Sequence, residues 1–233
     1  MRRREKGIPV TRKDALILMA KAPLPGQVKT RLCPPFTKGG AATLYACLLE
    51  DTAMEMTRLK RVHRYLFYSP PGSGKFFRRD PFSRFEALPQ SGADLGERMA
   101  AAFKTAFTRG FARTVLVGAD CPVLSATLVR AAFRELASSA GAVFGPSDDG
   151  GFYLIALSSH VPSLFRGVHW GTGTVLSEVS RRYREAGIPY SLLTSGFDID
   201  TADDVALLAR WAQTHSSPAC PRTRQWLTSR EDE

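Results

Sequence analysis

The 233-residue sequence lacks the segments that would place it in or across a membrane. No apolar run approaches the roughly 20 residues that a membrane-spanning helix needs. The apolar run of residues 15–20 is also shorter than the core of about 7–15 residues found in signal peptides. We therefore predict a cytoplasmic protein that has no membrane partner.

Cysteine is scarce, and its spacing excludes two further classes of protein. The four cysteines are far apart, and neither a CxxC pair nor a Cys/His ligand spacing occurs. A structural zinc site and a disulfide framework are therefore not indicated. Three common enzyme fingerprints are missing as well, namely a complete Walker A loop, a GxGxxG turn and a GxSxG elbow.

Positive charge is abundant, but it is concentrated at one end of the chain. The formal net charge is +10, and residues 1–13 carry six basic residues against one acidic residue. Such a cluster is typical of a solvated arm, so we do not expect a nucleic-acid partner. The basic residues elsewhere can attract an anionic substrate.

Strand and helix patterns alternate along residues 14–212, which we predict to be one domain. Alternation of this kind favours an α/β fold with three layers (α/β/α) and a mainly parallel sheet. Residues 1–13 then form a basic arm, and residues 213–233 form a polar, loose tail. The predicted strands cover residues 15–20, 63–69, 84–88, 114–117, 142–144, 152–156 and 190–193.

Two aspartates follow predicted strands or tight turns, where ligands gather in open α/β sheets. Asp120 comes after the apolar run 114–117, and Asp200 precedes a helical pattern. Carboxylates suit Mg²⁺, which binds proteins through one or two of them together with substrate phosphates. The pattern predicts a metal site for phosphate-ester chemistry, in which Asp198 either shares the role or caps a helix.

The loop of residues 21–32 directly follows the first predicted strand. It contains three cations, Lys21, Lys29 and Arg31, around a turn with Pro23, Pro25 and Gly26. A proline and a glycine stiffen a turn and allow close backbone approach, and arginine binds phosphate in a bidentate manner. We predict a polyphosphate-binding loop, with a basic surface loop as the alternative.

Several further residues allow two interpretations. Gln90 can contact a nucleobase through its amide, whereas Asp94 either approaches the ligand or only caps the following helix. Asp149 and Gly150 form a dipeptide typical of hairpins. Trp170 fits a packing role better than a stacking platform.

Six motifs in this order resemble a known family. The chain is similar to the bacterial "transferase 1" proteins associated with radical-SAM and selenodomain proteins, and to guanylyltransferases of molybdenum-cofactor and phospholactate metabolism. These proteins belong with the GT-A-fold nucleotide-diphospho-sugar transferases, so the resemblance implies a GT-A fold for about residues 14–210. The motifs are AKAPLPGQVKTRL, QSGADLGERM, GADCPVL, GPSDDGGFYLI, HWGT and FDIDTADDV.

The resemblance also implies a role for each segment. The cations of the first loop match the segment that receives the triphosphate, and Gln90 and Gly96 match the segment that holds the base. Asp120 and Asp200 match two metal ligands. The turn formed by Asp149, Gly150 and Gly151 matches the acceptor side.

Two departures from the relatives are visible. Pro23 and Pro25 replace the glycines of the GxGTRM loop of sugar-nucleotide pyrophosphorylases, so the turn of this loop differs from theirs. Ala202 stands where relatives often carry proline.

Together these features predict a nucleotidyltransferase that uses Mg²⁺, or Mn²⁺ in its place. It would move a nucleoside monophosphate from a nucleoside triphosphate to a small phosphorylated or hydroxyl acceptor, with Lys29, Arg31 and Asp120 in catalytic roles. One alternative is a glycosyltransferase that uses a nucleoside-diphosphate sugar. A second alternative is a nucleotide-binding module without catalysis.

Overall fold

The described part of the chain, residues 13–138, 140–214 and 220–229 of a computed structural model, forms alternating strands and helices. The predicted basic arm lies outside it except for Lys13. The strands are β1 (Asp14–Lys21), β2 (Val62–Ser69), β3 (Glu86–Pro89), β4 (Arg113–Val117), β5 (Ala142–Pro146), β6 (Phe152–Leu157) and β7 (Tyr190–Leu192). The helices are α1 (Lys38–Thr57), α2 (Leu95–Thr108), α3 (Ala126–Ser138), α4 (Val175–Glu185), α5 (Ala202–Thr214) and α6 (Pro221–Thr228).

The strands form one sheet in the order β3-β2-β1-β4-β6-β5-β7. The pairs β1–β2, β1–β4, β2–β3 and β5–β7 are parallel, whereas β6 runs antiparallel to both of its neighbours. The α/β prediction and its mainly parallel sheet are therefore confirmed. The exception arises because a short turn after β5 leads directly back into β6 as a hairpin.

Helices cover both faces of the sheet because the side chains of its strands alternate. In β1, Leu16 and Leu18 pack in the cluster that contains α1 and α3. Ala15 and Ile17 point the other way, into the cluster that contains α2 and α4. Since both faces of β1 are covered, its residues 15–18 are fully buried. This arrangement is the predicted three-layer α/β/α fold.

Side-chain caps fix where two of these helices begin. The Thr37 hydroxyl accepts a hydrogen bond from Gly40 N at 3.0 Å at the start of α1. The Asp94 carboxylate accepts one from Glu97 N at 2.8 Å at the start of α2. Each bond satisfies a backbone N–H that has no partner within its helix. None of the described helices is both long and apolar enough to cross a membrane.

The predicted loose tail contains a packed helix, so that part of the prediction is wrong. Helix α6 lies against α1 and α5, where Trp226 joins Leu48 and Leu208 in a third apolar cluster. The buried Asp51 carboxylate of α1 accepts hydrogen bonds from Arg222 N, Thr223 N and Thr223 Oγ1 at 2.8–3.1 Å. This carboxylate binds the first turn of α6, which holds the tail on the domain.

The carboxyl edge of the sheet brings together the segments singled out by the sequence. Lys21 ends β1, Gly118 follows β4, and Phe152 begins the antiparallel β6 at the same edge. Because β1 and β4 are adjacent and parallel, the loops that follow them lie side by side. The fold therefore places the basic loop next to Asp120.

We expect Asp51→Ala to lower the free energy of unfolding by about 2 kcal/mol or more. The substitution leaves the buried N–H and hydroxyl of Thr223 without their acceptor, which costs about 1–3 kcal/mol. Urea denaturation measures the change. Asp203→Ala is the control, because Asp203 is exposed on α5 and its loss is expected to cost about 0.5 kcal/mol. Equal stabilities of the two variants would contradict this role of Asp51.

Candidate functional site

A cleft of about 470 Å³ opens at the carboxyl edge of the sheet. Its wall combines the end of β1, the basic loop after it, the segment after β4 and the segment before α5. Apolar side chains line one part and charged side chains another. The lining residues are Met19, Ala20, Lys21, Val28, Lys29, Thr30, Arg31, Tyr45, Gln90, Leu95, Arg98, Gly118, Ala119, Asp120, Phe152, Tyr153, Asp198 and Asp200.

The centre of the cleft is an ion-pair cluster. Lys29 Nζ lies 2.8 Å from Asp120 Oδ2 and 2.9 Å from Asp200 Oδ1. Arg31 Nη1 lies 3.4 Å from Asp200 Oδ2. The Lys29 side chain is only 4% exposed, whereas those of Asp120 and Asp200 are 39% and 37% exposed. The predicted catalytic and metal residues therefore meet at one point.

Local backbone geometry directs Lys29 into the cleft. The residue has φ 49° and ψ 39°, a left-handed conformation that few non-glycine residues adopt. It precedes the short 3-10 helix Thr30–Leu32, and Leu32 N donates to Lys29 O at 3.0 Å. Such strained conformations persist only where the surrounding structure supports them, and they cluster at functional sites.

Charge and burial act in opposite directions on the ionisable groups of this cluster. Burial alone would lower the pKa of Lys29, but the two carboxylates raise it above its ordinary value. Burial alone would raise the pKa of Asp200, but Lys29, followed by Arg31, lowers it. The ammonium and the Asp200 carboxylate are therefore both charged at neutral pH.

Asp198 is a third carboxylate in the cleft wall, and it differs from the other two. Its Oδ2 accepts a hydrogen bond from Ser147 Oγ at 2.7 Å. Burial, followed by the charge of Asp120, raises the pKa of Asp198 to about 7. The alternative in which Asp198 caps a helix has no support, because α5 is capped by Thr201, whose Oγ1 accepts a hydrogen bond from Asp204 N at 3.4 Å. The Asp204 carboxylate in turn accepts one from Thr201 N at 2.7 Å.

The chemistry of the acid pair fits the implied Mg²⁺ or Mn²⁺. Asp120 and Asp200 both contact one ammonium, so one cation can be shared between them. Nowhere in the described ranges do three His, Cys, Asp or Glu side chains group as metal ligands. Mg²⁺ is commonly held by one or two carboxylates plus substrate phosphates and water, so the pair suffices only together with a phosphate-bearing substrate.

The Gln90 amide is oriented by the sheet. Its Nε2 donates to Ala20 O at 3.0 Å and to Phe67 O at 2.9 Å, across the ends of β1 and β2. Both amide hydrogens are thereby used, so the carbonyl oxygen is the part of the amide that can contact a ligand. Gln90 lines the cleft, where it offers an acceptor and no donor.

Tyr45 of α1 is a cleft residue that the sequence analysis missed. Its hydroxyl accepts a hydrogen bond from Lys21 N at 2.9 Å, and its ring centroid lies 5.9 Å from Lys29 Nζ. Burial, followed by the charge of Asp120, raises the pKa of the hydroxyl. In the sequence Tyr45 has the spacing of an ordinary core residue, so no local pattern marks it.

Eight of the ten predicted substrate-binding residues do not line this cleft, in contrast to Lys21 and Gln90. Pro25 and Gly26 shape the loop, and Gly26 adopts φ 76° above the Lys38 side chain. Asp94 caps α2, which is the simpler of its two interpretations, and it lines a separate cavity of about 370 Å³ together with Gly96. A Cβ on Gly96 would lie 2.5 Å from Trp170 Nε1, which indicates tight packing.

Trp170 has the packing role that its sequence context favoured. Its ring stacks on Phe165 with a centroid distance of 6.4 Å and meets Phe152 edge-on at 6.3 Å. These contacts join the segment after β6 to the core between α2 and α4. The side chain supports the wall of the cleft from behind.

A smaller cavity of about 230 Å³ adjoins the cleft and shares Arg31, Asp198 and Asp200 with it. Asp149 lines this cavity, whereas Gly150 and Gly151 of the same turn do not. Asp149 Oδ1 accepts from Gly151 N at 2.9 Å, and the turn connects β5 to β6 as the hairpin interpretation predicted. The ion-pair cluster thus lies between two cavities.

The fold and this charged carboxyl edge define an α/β domain of the GT-A-like type. The chain belongs to the family DUF2064, described as "Uncharacterized protein conserved in bacteria", whose pattern matches residues 52–172. Among proteins with curated descriptions, none matches the chain in sequence.

Similarity to solved structures extends over nearly the whole chain. A protein from Desulfovibrio desulfuricans G20, provisionally described as a nucleotide-diphospho-sugar transferase, is 31% identical. The similarity covers 95% of this chain and 96% of that protein, with a TM-score of 0.88. The GT-A-like fold implied by the sequence motifs is thereby confirmed, whereas the association with radical-SAM and selenodomain proteins stays a prediction.

More distant structures share the fold alone. The 4-diphosphocytidyl-2C-methyl-D-erythritol synthase of Anaerococcus prevotii DSM 20548 is 11% identical, with a TM-score of 0.56 over 86% of this chain and 97% of that one. A mannosyltransferase from Pyrobaculum calidifontis, in complex with GDP-Man and Mn²⁺, is 12% identical. Its TM-score is 0.51 over 94% of this chain and 75% of that one.

We expect Gly150→Ala to destabilise the protein by about 1–3 kcal/mol more than Gly110→Ala. Both glycines have positive φ, 83° and 86°, so both substitutions incur the same backbone cost of about 1–2 kcal/mol. A Cβ on Gly150 would lie 2.0 Å from Gly173 O, whereas nothing lies within 4 Å of a Cβ on Gly110. Urea denaturation of both variants makes the comparison, and equal losses would show that the Gly150 turn is loosely packed.

Proposed function

We propose that the protein is a metal-dependent nucleotidyltransferase that moves a nucleoside monophosphate from a nucleoside triphosphate to a small acceptor. One observation carries the proposal: two cations and two carboxylates meet at the carboxyl edge, between two adjoining cavities. The cations suit phosphate oxygens, and the carboxylates suit a divalent ion shared with those phosphates.

In this proposal the nucleotide occupies the larger cleft. Its phosphates contact Lys29 and Arg31, and its base lies near Gln90 and the exposed apolar side chain of Leu95. The acceptor occupies the smaller cavity beside Asp149. Since both cavities share Arg31 and Asp200, the α-phosphate at their junction can be reached from the acceptor side.

The reaction is a displacement at the α-phosphate. An acceptor oxygen forms a bond to the α-phosphorus, the bond to the bridging oxygen breaks, and pyrophosphate leaves; a hydroxyl acceptor loses its proton to solvent. Lys29 and Arg31 stabilise the negative charge on the phosphate oxygens, so catalysis consists mainly of positioning and electrostatics. Asp120 and Asp200 hold the Mg²⁺ or Mn²⁺, which supplies Lewis-acid charge neutralisation when bound.

Glycosyl transfer from a nucleoside-diphosphate sugar is the second candidate. The relative from Desulfovibrio desulfuricans with its provisional sugar-transferase description supports it. The mannosyltransferase with GDP-Man and Mn²⁺ has the same fold. The three cations of the first loop favour a triphosphate, which carries more charge than a diphosphate sugar.

A thermal-shift panel tests the proposal against this alternative. The four ribonucleoside triphosphates and common nucleotide sugars are each added with and without Mg²⁺. We expect a Mg²⁺-dependent shift with a triphosphate, because a ligand at 100 times its dissociation constant adds about 2.7 kcal/mol of stability. A shift with nucleotide sugars alone would support glycosyl transfer, and a panel without any shift would contradict both.

Arg31→Met is expected to weaken binding of that triphosphate about tenfold or more. The substitution removes a charge-assisted hydrogen-bond donor, which contributes about 1.5–3 kcal/mol. Isothermal titration calorimetry measures the affinity. Arg134→Met provides the control, since Arg134 is exposed in the second half of α3, which does not line the cleft. Equal affinities of the two variants would remove Arg31 from the phosphate site.

A further inference from the structure

Lys29 already fills the position between the two carboxylates. Its ammonium contacts Asp120 and Asp200 at 2.8 and 2.9 Å, and only 4% of its side chain is exposed. The ring of Tyr45 lies on one side of the ammonium, at 5.9 Å from its centroid. The backbone of Lys29 is fixed in a left-handed conformation that leads into a 3-10 turn. The free protein thus holds a built-in cation at this point.

A divalent cation and this ammonium compete for the same oxygen atoms. Each carboxylate directs one oxygen at Lys29, and Asp200 directs its other oxygen towards Arg31. A metal ion shared by the pair would lie beside an ammonium that is shielded from solvent, and two such cations repel each other. In the absence of phosphates, the charge of Lys29 therefore lowers the affinity of the carboxylate pair for a metal ion.

We propose that Lys29 is an internal competitor that keeps the divalent metal out of the cleft until phosphates arrive. The phosphate oxygens accept hydrogen bonds from the Lys29 ammonium in place of the two carboxylates. Asp120 and Asp200 are then free to hold the metal. Metal and phosphate then bind with positive coupling. The phosphate draws away the ammonium that repels the metal, and the metal neutralises the carboxylates that Lys29 leaves. This inference rests on the part of the proposed function that assigns the metal to these two carboxylates.

Titration of Mn²⁺ alone, followed by the paramagnetic resonance signal of the free ion, tests the competition. We expect Lys29→Met to bind Mn²⁺ at least fivefold more tightly than the wild type. Lys38→Met is the matched control: it removes the same charge at the start of α1, beside Gly26 of the loop, without contact to either carboxylate. A gain below fivefold for Lys29→Met, or an equal gain for Lys38→Met, overturns the proposal.

Three further variants show where the ion binds, test whether another cation can replace Lys29, and guard against misfolding. Lys29→Met combined with Asp120→Asn should lose the increase in Mn²⁺ affinity that Lys29→Met shows. If the increase persists, the ion binds elsewhere and the proposal is overturned. Lys29→Arg keeps a cation between the carboxylates and should retain weak Mn²⁺ binding. If circular dichroism shows that Lys29→Met is unfolded, Lys29→Gln replaces it under the same fivefold criterion.

Inorganic pyrophosphate serves as the phosphate probe for the coupling. In the wild type it should tighten Mn²⁺ binding by a larger factor than in Lys29→Met, after correction for the Mn²⁺–pyrophosphate complex in solution. Equal factors overturn the proposal. Because the readout is metal binding, a failure of nucleotidyl transfer leaves these results unaffected. If the wild type and Lys29→Met bind Mn²⁺ tightly and equally, the role of Lys29 as a competitor is overturned, but the metal-dependent function proposed above is not.

Discussion

The contact of the Lys29 ammonium with two carboxylates is the interaction on which the rest of the site depends. It joins the loop after β1 to the segment before α5, 171 positions further along the chain, and to the segment after β4. Burying an unpaired charge is costly, so Lys29 needs both acids, and the acids lie close together because Lys29 neutralises them. Two members of the cluster, Arg31 and Asp200, line both cavities.

The scaffold supports the cluster from several directions. The sheet is covered on both faces, so β1 and β4 are rigidly packed, and their carboxyl ends place the basic loop beside Asp120. Tyr45 connects α1 to the end of β1, and the Gln90 amide bridges the ends of β1 and β2. Trp170 packs behind the wall formed by Phe152. Functional groups therefore lie on loops, while their positions are fixed by buried elements, which is typical of α/β enzymes.

Much of the fold could be predicted because its elements carry clear periodic patterns. The strands lie close to their predicted bounds, and Lys29 and Asp120 could be chosen because each lies in the segment that follows a strand. Helix α6 was missed because it is short and polar, and it depends on Asp51, which is distant in sequence. Tyr45 was missed because a helical core tyrosine has the same spacing whether or not it reaches a cleft. The separation of Asp94 and Gly96 from the cleft depends on tertiary packing, which no local pattern encodes.

The most direct test of the central claim is a crystal structure with Mn²⁺ and a nucleoside triphosphate analogue that resists cleavage between its α- and β-phosphates. The anomalous signal of manganese locates the ion independently of the protein coordinates. The account predicts a peak beside Asp120 and Asp200, with the Lys29 ammonium displaced onto phosphate oxygens. A nucleotide bound outside this cleft, or a Lys29 ammonium that stays between the carboxylates while the metal binds elsewhere, would contradict it.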